Sequence, residues 1–289
     1  MTMKTLIFFA TYNEAGNVTS MIDRIIDAAP HADILIVDDS SKDGTLDILA
    51  SLARPNLNVI VRPGKLGLGT AHLLAWKYAI HHGYDTLVTM DGDHSHDPAD
   101  IPRLIEGLGE SNDLVIGSRY AKGGKCDYTG YRLRVSQAAN KAARLLLGIK
   151  LSEFTTSFRA FRVSRLNAID FDALVVGGYS FFLAVIVQAH RHGLKVAERP
   201  IHFHERNAGV SKIPPLEIFR GMANLLKLTF ISHFTRVSPH INNQALDCDL
   251  CSGESSRMHI HSRTEKKGTK DDICLHCGDV QSGITPNEG

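Results

Sequence analysis

Two carboxylates with one small residue between them occur near the middle of the chain. Asp91, Gly92 and Asp93 directly follow the apolar residues 86–90. Carboxylate oxygens at this spacing suit a hard divalent cation, Mg²⁺ or Mn²⁺, which in turn neutralises diphosphate oxygens. A single such motif is as typical of a turn with solvated aspartates. Context favours the metal interpretation, because Asp38 and Asp39 end another apolar run and a Gly-rich basic turn ends a third.

The elements that must position these residues are short apolar runs that alternate with stretches of helical period. The predicted strands cover residues 5–9, 34–38, 59–62, 86–90 and 114–117, with a later strand at 195–204 and an amphipathic helix at 216–230. This alternation predicts an α/β fold, in which ligands lie at the carboxyl ends of the strands. We therefore expect four polar turns to converge on one site: TYNEAGN, DDSSKDGT, RPGKLGLGT and DGDHSHDP.

Composition and charge exclude several classes of protein. The 289 residues are 43% hydrophobic and 22% charged, and the formal net charge is +1, so no nucleic-acid partner is predicted. The N-terminal apolar run is too short for a signal peptide, and the late apolar segment 213–234 is interrupted by polar residues. The sequence predicts no transmembrane segment, and the cysteine usage favours the cytoplasm.

The composition becomes polar after about residue 237, which divides the chain into a catalytic domain at 1–237 and a tail at 238–289. Two CxxC pairs in that tail predict a zinc-ribbon-like module in which four thiolates hold a structural Zn²⁺. Surface thiols or a redox pair are the alternative interpretation. We infer a docking or dimerisation role for the module, with a protein partner or a second copy of the chain. The four ligands would be Cys248, Cys251, Cys274 and Cys277.

A set of ordered motifs resembles family 2 glycosyltransferases of GT-A fold, and most closely the dolichol-phosphate or polyprenyl-phosphate mannose synthases. The resemblance covers about residues 4–235 and implies a mixed, Rossmann-like sheet flanked by helices. It also implies transfer of a hexose, mannose from GDP-mannose by preference, to a polyprenyl phosphate at the cytosolic membrane face. The motifs are ATYNE, VDDSSKDGT, RPGKLGLGTA, DGDHSHDP, GSRY, TTSFRAFR, GYSF and RNAGVSK.

The resemblance also implies roles for individual residues. It assigns nucleotide binding to five residues, Tyr12, Glu14, Val37, Asp39 and Gly92. Arg206 and Lys212 are expected to close over the donor phosphates. It assigns binding of the metal and the diphosphate to Asp91, Asp93 and Ser95. It assigns binding of the acceptor phosphate to Arg119, Arg132 and Ser136. Asp91, Asp93 and Arg119 are the residues expected to carry catalysis.

The chemistry of a phosphate acceptor agrees with this assignment. A phosphomonoester is largely ionised at neutral pH, because its second pKa is about 6, and it needs no enzymic base. An arginine fork can hold its oxygens in line with the anomeric carbon, which predicts direct displacement with inversion. A hydroxyl acceptor, on a saccharide or small molecule, would need a carboxylate base, for which Glu153 is the candidate. A catalytically inactive adaptor is the third hypothesis.

Four positions depart from the family pattern: Ala10, Glu153, Ser157 and Ala184. The family has Pro, Asp, Gly and Glu at these places. Ser157 and Ala184 lie in the half expected to bind the acceptor, so they bear on its identity. If the family glycine takes a positive φ, Ser157 would strain that turn.

Overall fold

The computed structural model describes residues 3–52, 54–109, 111–171, 174, 180–205 and 216–234, together with three short strands further along the chain. Four parallel strands form the first half of the main sheet, in the spatial order β3, β2, β1, β4. Their bounds are β1 Thr5–Thr11, β2 Asp33–Asp38, β3 Leu57–Val61 and β4 Thr86–Asp91. All four predicted strands of this half are therefore confirmed.

The second half of the sheet is mixed. β5 (Leu114–Ser118) was predicted, whereas β7 (Arg159–Arg162) was not, and β7 lies antiparallel between β4 and β5. The predicted strand at 195–204 is divided: β8 (Val196–Pro200) completes the main sheet beside β5, and β9 (His202–Phe203) pairs with β6 (Lys125–Cys126) in a separate two-stranded sheet. The division bends the chain toward the carboxyl end of β4, where the backbone N–H of His204 donates to the carbonyl oxygen of Ser95.

Helices cover both faces of the main sheet, because successive strand residues point to opposite sides. Leu6 and Phe8 of β1 belong to one apolar core and Ile7 and Phe9 to the other. The second core is closed by α1 (Val18–Ala28), α2 (Thr45–Ser51) and α4 (Ile101–Leu108), and the first by α3 (Leu68–His81), α5 (Gly130–Leu147), α6 (Val163–Leu166), α7 (Ser180–Arg191) and α8 (Leu216–Phe234).

The predicted amphipathic helix is α8, and it packs on the catalytic domain. Leu225 and Leu228 are buried in the core, and the side-chain amide of Asn224 donates to Ser180 of α7. Its other side exposes Leu226 and Phe230. In the part of the chain that the structure describes, no helix combines the length and apolar character needed to cross a lipid bilayer.

Three short strands lie beyond α8. β10 (Met258–Ile260) adds to the main sheet in parallel with β3, and β11 (Asp272–Ile273) pairs with β12 (Val280–Gln281) in antiparallel. The four cysteines expected to bind zinc, Cys248, Cys251, Cys274 and Cys277, lie outside the described residues.

Candidate active site

The first two polar turns are tied together by backbone-to-side-chain hydrogen bonds. The backbone N–H of Asn13 donates to Ser41 Oγ at 2.8 Å, and that of Lys42 donates to Asn13 Oδ1 at 2.9 Å. The N–H of Glu14 donates to Thr45 Oγ1 at 3.0 Å. Asn13 takes a left-handed backbone conformation with φ of 57°, which asparagine tolerates better than most residues. These bonds explain why Asn, Ser and Thr occur together in the two turns.

Asp39 and Arg62 form a buried ion pair that joins the second turn to the third. The guanidinium Nη2 lies 2.5 Å from Asp39 Oδ1, and the side chains are 0% and 9% exposed for Arg62 and Asp39 respectively. Arg62 also donates to Thr70 Oγ1 and to the carbonyl oxygen of Gly67, so it fixes the Gly-rich turn. Burial raises the pKa of Asp39, although Arg62 opposes the increase. The Asp39 carboxylate is therefore already paired with Arg62 before any nucleotide binds. The sequence did not indicate this pairing.

The other residues expected at the nucleotide have contrasting environments. Tyr12 is partly exposed, and its ring lies 4.8 Å from the ammonium nitrogen of Lys65 in the Gly-rich turn. Glu14 accepts a hydrogen bond at 2.7 Å from the side-chain amide of Asn17. Val37 is fully buried in the core, so its side chain shapes the sheet beneath the turns. Tyr12 and Lys65 together present an aromatic face and a positive charge at one edge of the site.

The carboxylate pair lies at the end of β4, as predicted. Asp91 is its last residue, and its Oδ1 accepts a hydrogen bond at 2.6 Å from Ser157 Oγ. Asp93 is 3% exposed, and its Oδ1 accepts the backbone N–H of Ser95 at 3.0 Å. A Cβ at Gly92 would come within 2.9 Å of the Phe9 ring, so only glycine fits between the two aspartates without a shift.

The donor set fits a hard divalent cation. The Asp91 side chain is 32% exposed, so its carboxylate opens to solvent at the end of the sheet. Asp93 follows two residues later in a tight turn, where its carboxylate is oriented by the backbone N–H of Ser95. Oxygen ligands with hydrogen bonds that fix their orientation are what Mg²⁺ and Mn²⁺ require.

His96 is a residue of this turn whose involvement the sequence did not reveal. It is fully buried, and its Nδ1 accepts the backbone N–H of Asp91 at 3.1 Å. Nδ1 therefore carries no proton, and the 3.6 Å approach to Asp91 Oδ2 is not an ion pair. The proton lies on Nε2, which is 3.2 Å from Thr156 Oγ1. Burial lowers the pKa of His96, which keeps the ring neutral at physiological pH even though Asp91 opposes this effect.

Arg119 is held by Glu153 in the interior of the protein. Its Nε donates to Glu153 Oε2 at 2.7 Å, and the two side chains are 7% and 0% exposed. Nη2 lies 3.3 Å from both Glu153 Oε1 and Thr155 Oγ1. Burial lowers the pKa of Arg119, but the charge of Glu153 more than offsets this, so the net shift is upward. The guanidinium is therefore permanently charged, and one edge of it is fixed by Glu153.

Arg132 and Ser136 lie about one turn apart on α5. Ser136 is connected to Arg119 through Tyr120, whereas Arg132 is exposed. The Tyr120 hydroxyl donates to Ser136 Oγ at 2.8 Å, and the Tyr120 ring lies 5.3 Å from the Arg119 guanidinium carbon. Arg132 is exposed, with its guanidinium carbon 5.7 Å from the Tyr128 ring. The structure therefore links Ser136 to Arg119 through one tyrosine and places Arg132 at the solvent side of the same surface.

One short segment connects the carboxylate pair with Arg119. Residues 153–157 begin at Glu153, which holds Arg119, and end at Ser157, which holds Asp91. Phe203 closes the space from the other side, since its ring lies 4.4 Å from the Arg119 guanidinium carbon and 5.3 Å from the His96 ring. The expected catalytic groups are therefore assembled on one connected framework.

The departures from the family pattern have definite surroundings. Ser157 does not take a positive φ, so the strain considered for that turn is not present. Ala184 is buried within α7 as part of the core. Arg206 and Lys212, expected over the donor phosphates, lie outside the described residues.

Comparisons with known proteins show the family to which the chain belongs. Residues 6–169 match the model of the family described as Glycosyl transferase family 2. The undecaprenyl-phosphate mannosyltransferase of Micrococcus luteus is 40% identical over 214 residues, which are 73% of this chain and 88% of that protein. The polyprenol monophosphomannose synthase of Mycolicibacterium smegmatis is 39% identical over 225 residues, 76% of this chain and 85% of that protein.

Solved structures support the fold. Glucosyl-3-phosphoglycerate synthase from Mycobacterium tuberculosis, in complex with Mn²⁺, UDP and phosphoglyceric acid, superposes with a TM-score of 0.57 at 21% identity, covering 79% of each chain. The same protein with Mg²⁺ and UDP gives a TM-score of 0.56 at 21% identity, covering 79% of this chain and 80% of that one. With its mixed sheet, DGD turn and extensive sequence match, this chain is a glycosyltransferase enzyme of GT-A fold and belongs to glycosyl transferase family 2.

Proposed function

We propose that this protein transfers mannose from GDP-mannose to a polyprenyl phosphate with inversion at the anomeric carbon. Two relatives near 40% identity are named for mannosyl transfer to a polyprenyl phosphate carrier, and they match along most of their length. The guanosine nucleotide rests on the resemblance of the motifs to that group of synthases. UDP in the structural neighbours does not oppose it, because those proteins are only 21% identical.

The donor side is formed by the four turns at the carboxyl ends of the strands. Asp91, Asp93 and Ser95 would hold Mg²⁺ or Mn²⁺. Tyr12 and Lys65 would line one edge of the nucleotide site. The metal, when bound, neutralises the diphosphate oxygens and so makes the nucleoside diphosphate a better leaving group. Ser157 and the Ser95 backbone orient the two carboxylates.

On the acceptor side, Arg119 is the residue that we expect to bind the phosphate. Because Glu153 holds the Nε and Nη2 edge of the guanidinium, the Nη1 side is the one that can meet a phosphate oxygen. Tyr120, Ser136 and Arg132 extend the polar surface from this point along α5. Residues 153–157 connect this position with Asp91, through Glu153 at one end and Ser157 at the other.

The chemical step needs no proton transfer. One oxygen of the acceptor phosphate forms a bond to the anomeric carbon as the bond from that carbon to the donor diphosphate breaks. The electron pair of the broken bond leaves with the nucleoside diphosphate. The phosphate is already anionic, so the role of the protein is orientation and charge stabilisation.

The surroundings of Glu153 support a phosphate acceptor over a hydroxyl acceptor. Its Oε1 accepts hydrogen bonds from the backbone N–H and the hydroxyl of Thr155, and its Oε2 accepts the Arg119 Nε–H. A general base must reach the proton that it removes. Glu153 is fully buried and directed at Arg119, so it suits a positioning role.

The surface of α5 and α8 supports a lipid acceptor. α5 contains no acidic residue and exposes Tyr131 and Leu145, which are 76% and 72% exposed. α8, which packs against α5, exposes Leu226 and Phe230. Basic and apolar residues on one surface favour binding at the interface of an anionic bilayer. We infer a peripheral position at the cytosolic membrane face.

For the C-terminal part we infer a separate module, from about residue 238, in which Cys248, Cys251, Cys274 and Cys277 hold Zn²⁺. A docking or self-association role would follow. Zinc content measured in the full chain and in its four-serine variant tests the site, and one equivalent lost in the variant is expected. Equal zinc content would contradict it.

The decisive experiment is sugar transfer by the purified chain with Mn²⁺ or Mg²⁺, using GDP-mannose or UDP-glucose and a polyprenyl phosphate. Asp93→Ala is the test variant and Asp27→Ala, an exposed carboxylate on α1, the matched control. We expect a mannosyl lipid phosphate that is made by the control and not by Asp93→Ala. Transfer to a soluble saccharide with no lipid product would overturn the proposed acceptor.

A further inference from the structure

A group of two histidines and one aspartate lies beside the active site and has no part in the proposed reaction. His202 Nε2 lies 2.6 Å from Asp127 Oδ1, and His204 Nδ1 lies 3.1 Å from Asp127 Oδ2. The two imidazole rings are 4.0 Å apart. All three potential ligand atoms lie within 4.8 Å of one another.

The strand geometry separates this group from the DGD turn. His202 and His204 flank Phe203, and alternate residues of a strand point to the same side. The Phe203 ring faces inward onto His96 and Arg119. The two histidines therefore share the opposite side, where Asp127 meets them from the end of the neighbouring β6 strand.

We propose that Asp127, His202 and His204 form a second metal site, for a borderline cation of the zinc class. Two imidazoles and one carboxylate are typical ligands of Zn²⁺, Ni²⁺ and Cu²⁺, whereas Mg²⁺ prefers oxygen ligands alone. Three protein ligands leave one position of a tetrahedral ion for water. This proposal is independent of the proposed donor and acceptor.

The present distances require only small movements to admit the ion. Bonds of about 2.0–2.1 Å in a tetrahedron place ligand atoms roughly 3.3 Å apart. The distance from Asp127 Oδ1 to His202 Nε2, 2.6 Å, would open by about 0.7 Å, whereas the distance from Asp127 Oδ2 to His204 Nδ1, 3.1 Å, is already close to this value. The Asp127, His202 and His204 side chains are 40%, 41% and 35% exposed, so they have room to adjust.

A metal here would join two segments that border the active site. Asp127 lies just before α5, which carries Arg132 and Ser136. His204 leads toward residues 206–212, where Arg206 and Lys212 are expected to act on the donor. β6 and β9 are only two residues long each, and such a short pair has little stability of its own. The metal would therefore hold the residues just before α5 and the end of β9 in a fixed relation.

The test is Zn²⁺ titration by calorimetry, with the full chain in which the four tail cysteines are replaced by serine. That background removes the four thiolates of the tail and leaves Cys126 as the one remaining thiol. His202→Ala and Asp127→Asn are the test variants, and His31→Ala is the matched control, since His31 is an exposed histidine far along the chain from the cluster. Circular dichroism of each protein checks that it is folded, and Asp127→Asn serves if His202→Ala is not.

We expect the parent and His31→Ala to bind one more equivalent of Zn²⁺ than either test variant. Loss of an outer hydrogen-bond partner already weakens metal sites by about 10–100-fold, so loss of a ligand should weaken this site by at least that factor. Equal stoichiometry in the parent and both test variants would overturn the proposal. An equal loss in His31→Ala would do so as well, because it would indicate unspecific binding to surface histidines.

Discussion

Replacing Glu153 by alanine removes one partner of the buried ion pair with Arg119. Arg119 keeps its charge without Glu153, because an arginine guanidinium stays protonated in proteins, and its side chain is only 7% exposed. The variant would therefore leave a charged guanidinium in the interior without its carboxylate. Glu153 also accepts the hydrogen bonds of Thr155, which would lose their acceptor at the same time.

The expected cost can be worked from these surroundings. Removing one partner of a fully buried pair costs about 3–5 kcal/mol. In a domain of this size each kcal/mol lowers the melting temperature by about 2–4 °C, so a fall of about 6–20 °C is expected. The matched control is Asp23→Ala, which breaks the Arg54–Asp23 pair, whose side chains are 42% and 49% exposed. Such a surface pair contributes about 0–1 kcal/mol.

Thermal unfolding of the two variants beside the parent is the measurement of stability. Steady-state transfer by Glu153→Gln, which keeps the size of the side chain, separates positioning from catalysis. A positioning role predicts a raised KM for the lipid phosphate, an unchanged KM for the donor and no lost limb in the pH profile of kcat. The reasoning is refuted if Glu153→Ala melts within a few degrees of the parent, or if Glu153→Gln is stable and loses kcat together with the acidic limb of its pH profile.

Three further predictions concern single side chains. Ser157→Ala removes the hydrogen bond to the DGD carboxylate and should raise the Mn²⁺ concentration for half-maximal transfer by about 10–100-fold; an unchanged value would contradict this. Gly92→Ala should cost about 1–3 kcal/mol in urea unfolding, because its Cβ would meet the buried ring of Phe9, whereas Gly16→Ala, with open space around it, should not. Burial lowers the pKa of His72 to about 3, so the unfolded state binds more protons below about pH 6.5 and stability should fall as the pH drops. His72→Leu should remove about 2 kcal/mol of the stability change between pH 7 and 5, and an equal pH dependence in both proteins would disprove it.

The sequence predicts most of the donor half of this fold, for a physical reason. The strands of that half are parallel and buried along most of their length, so they appear as continuous apolar runs, and each ends in a turn with several polar residues. The acceptor half follows other rules. β7 reads Arg-Ala-Phe-Arg, and its arginines serve tertiary contacts: Arg159 is buried and donates to the carbonyl oxygens of Thr156, Phe182 and Phe154. Such contacts leave no periodic signal.

Within the site, residue types were predictable and partnerships were not. The carboxylate pair and Arg119 stand out because of their position after strands. That Arg62 would bind Asp39, and Glu153 would bind Arg119, depends on distances between segments far apart in sequence. His96 gives no signal beyond its place in the DGD turn, since a buried neutral histidine and an exposed one look alike in a sequence.

Ser157 shows how a departure from the family pattern can serve the same site. The resemblance of the motifs implies glycine at this position, and glycine would offer Asp91 no side-chain donor. Here the hydroxyl donates to Asp91 Oδ1 at 2.6 Å, and the backbone needs no positive φ to allow it. The carbonyl oxygen of Ser157 also accepts from Thr89 Oγ1 of β4, so the residue is anchored to the strand that carries the metal ligand. Residues 153–157 therefore connect a carboxylate of the DGD turn, through Ser157, with the arginine expected to bind the acceptor, through Glu153.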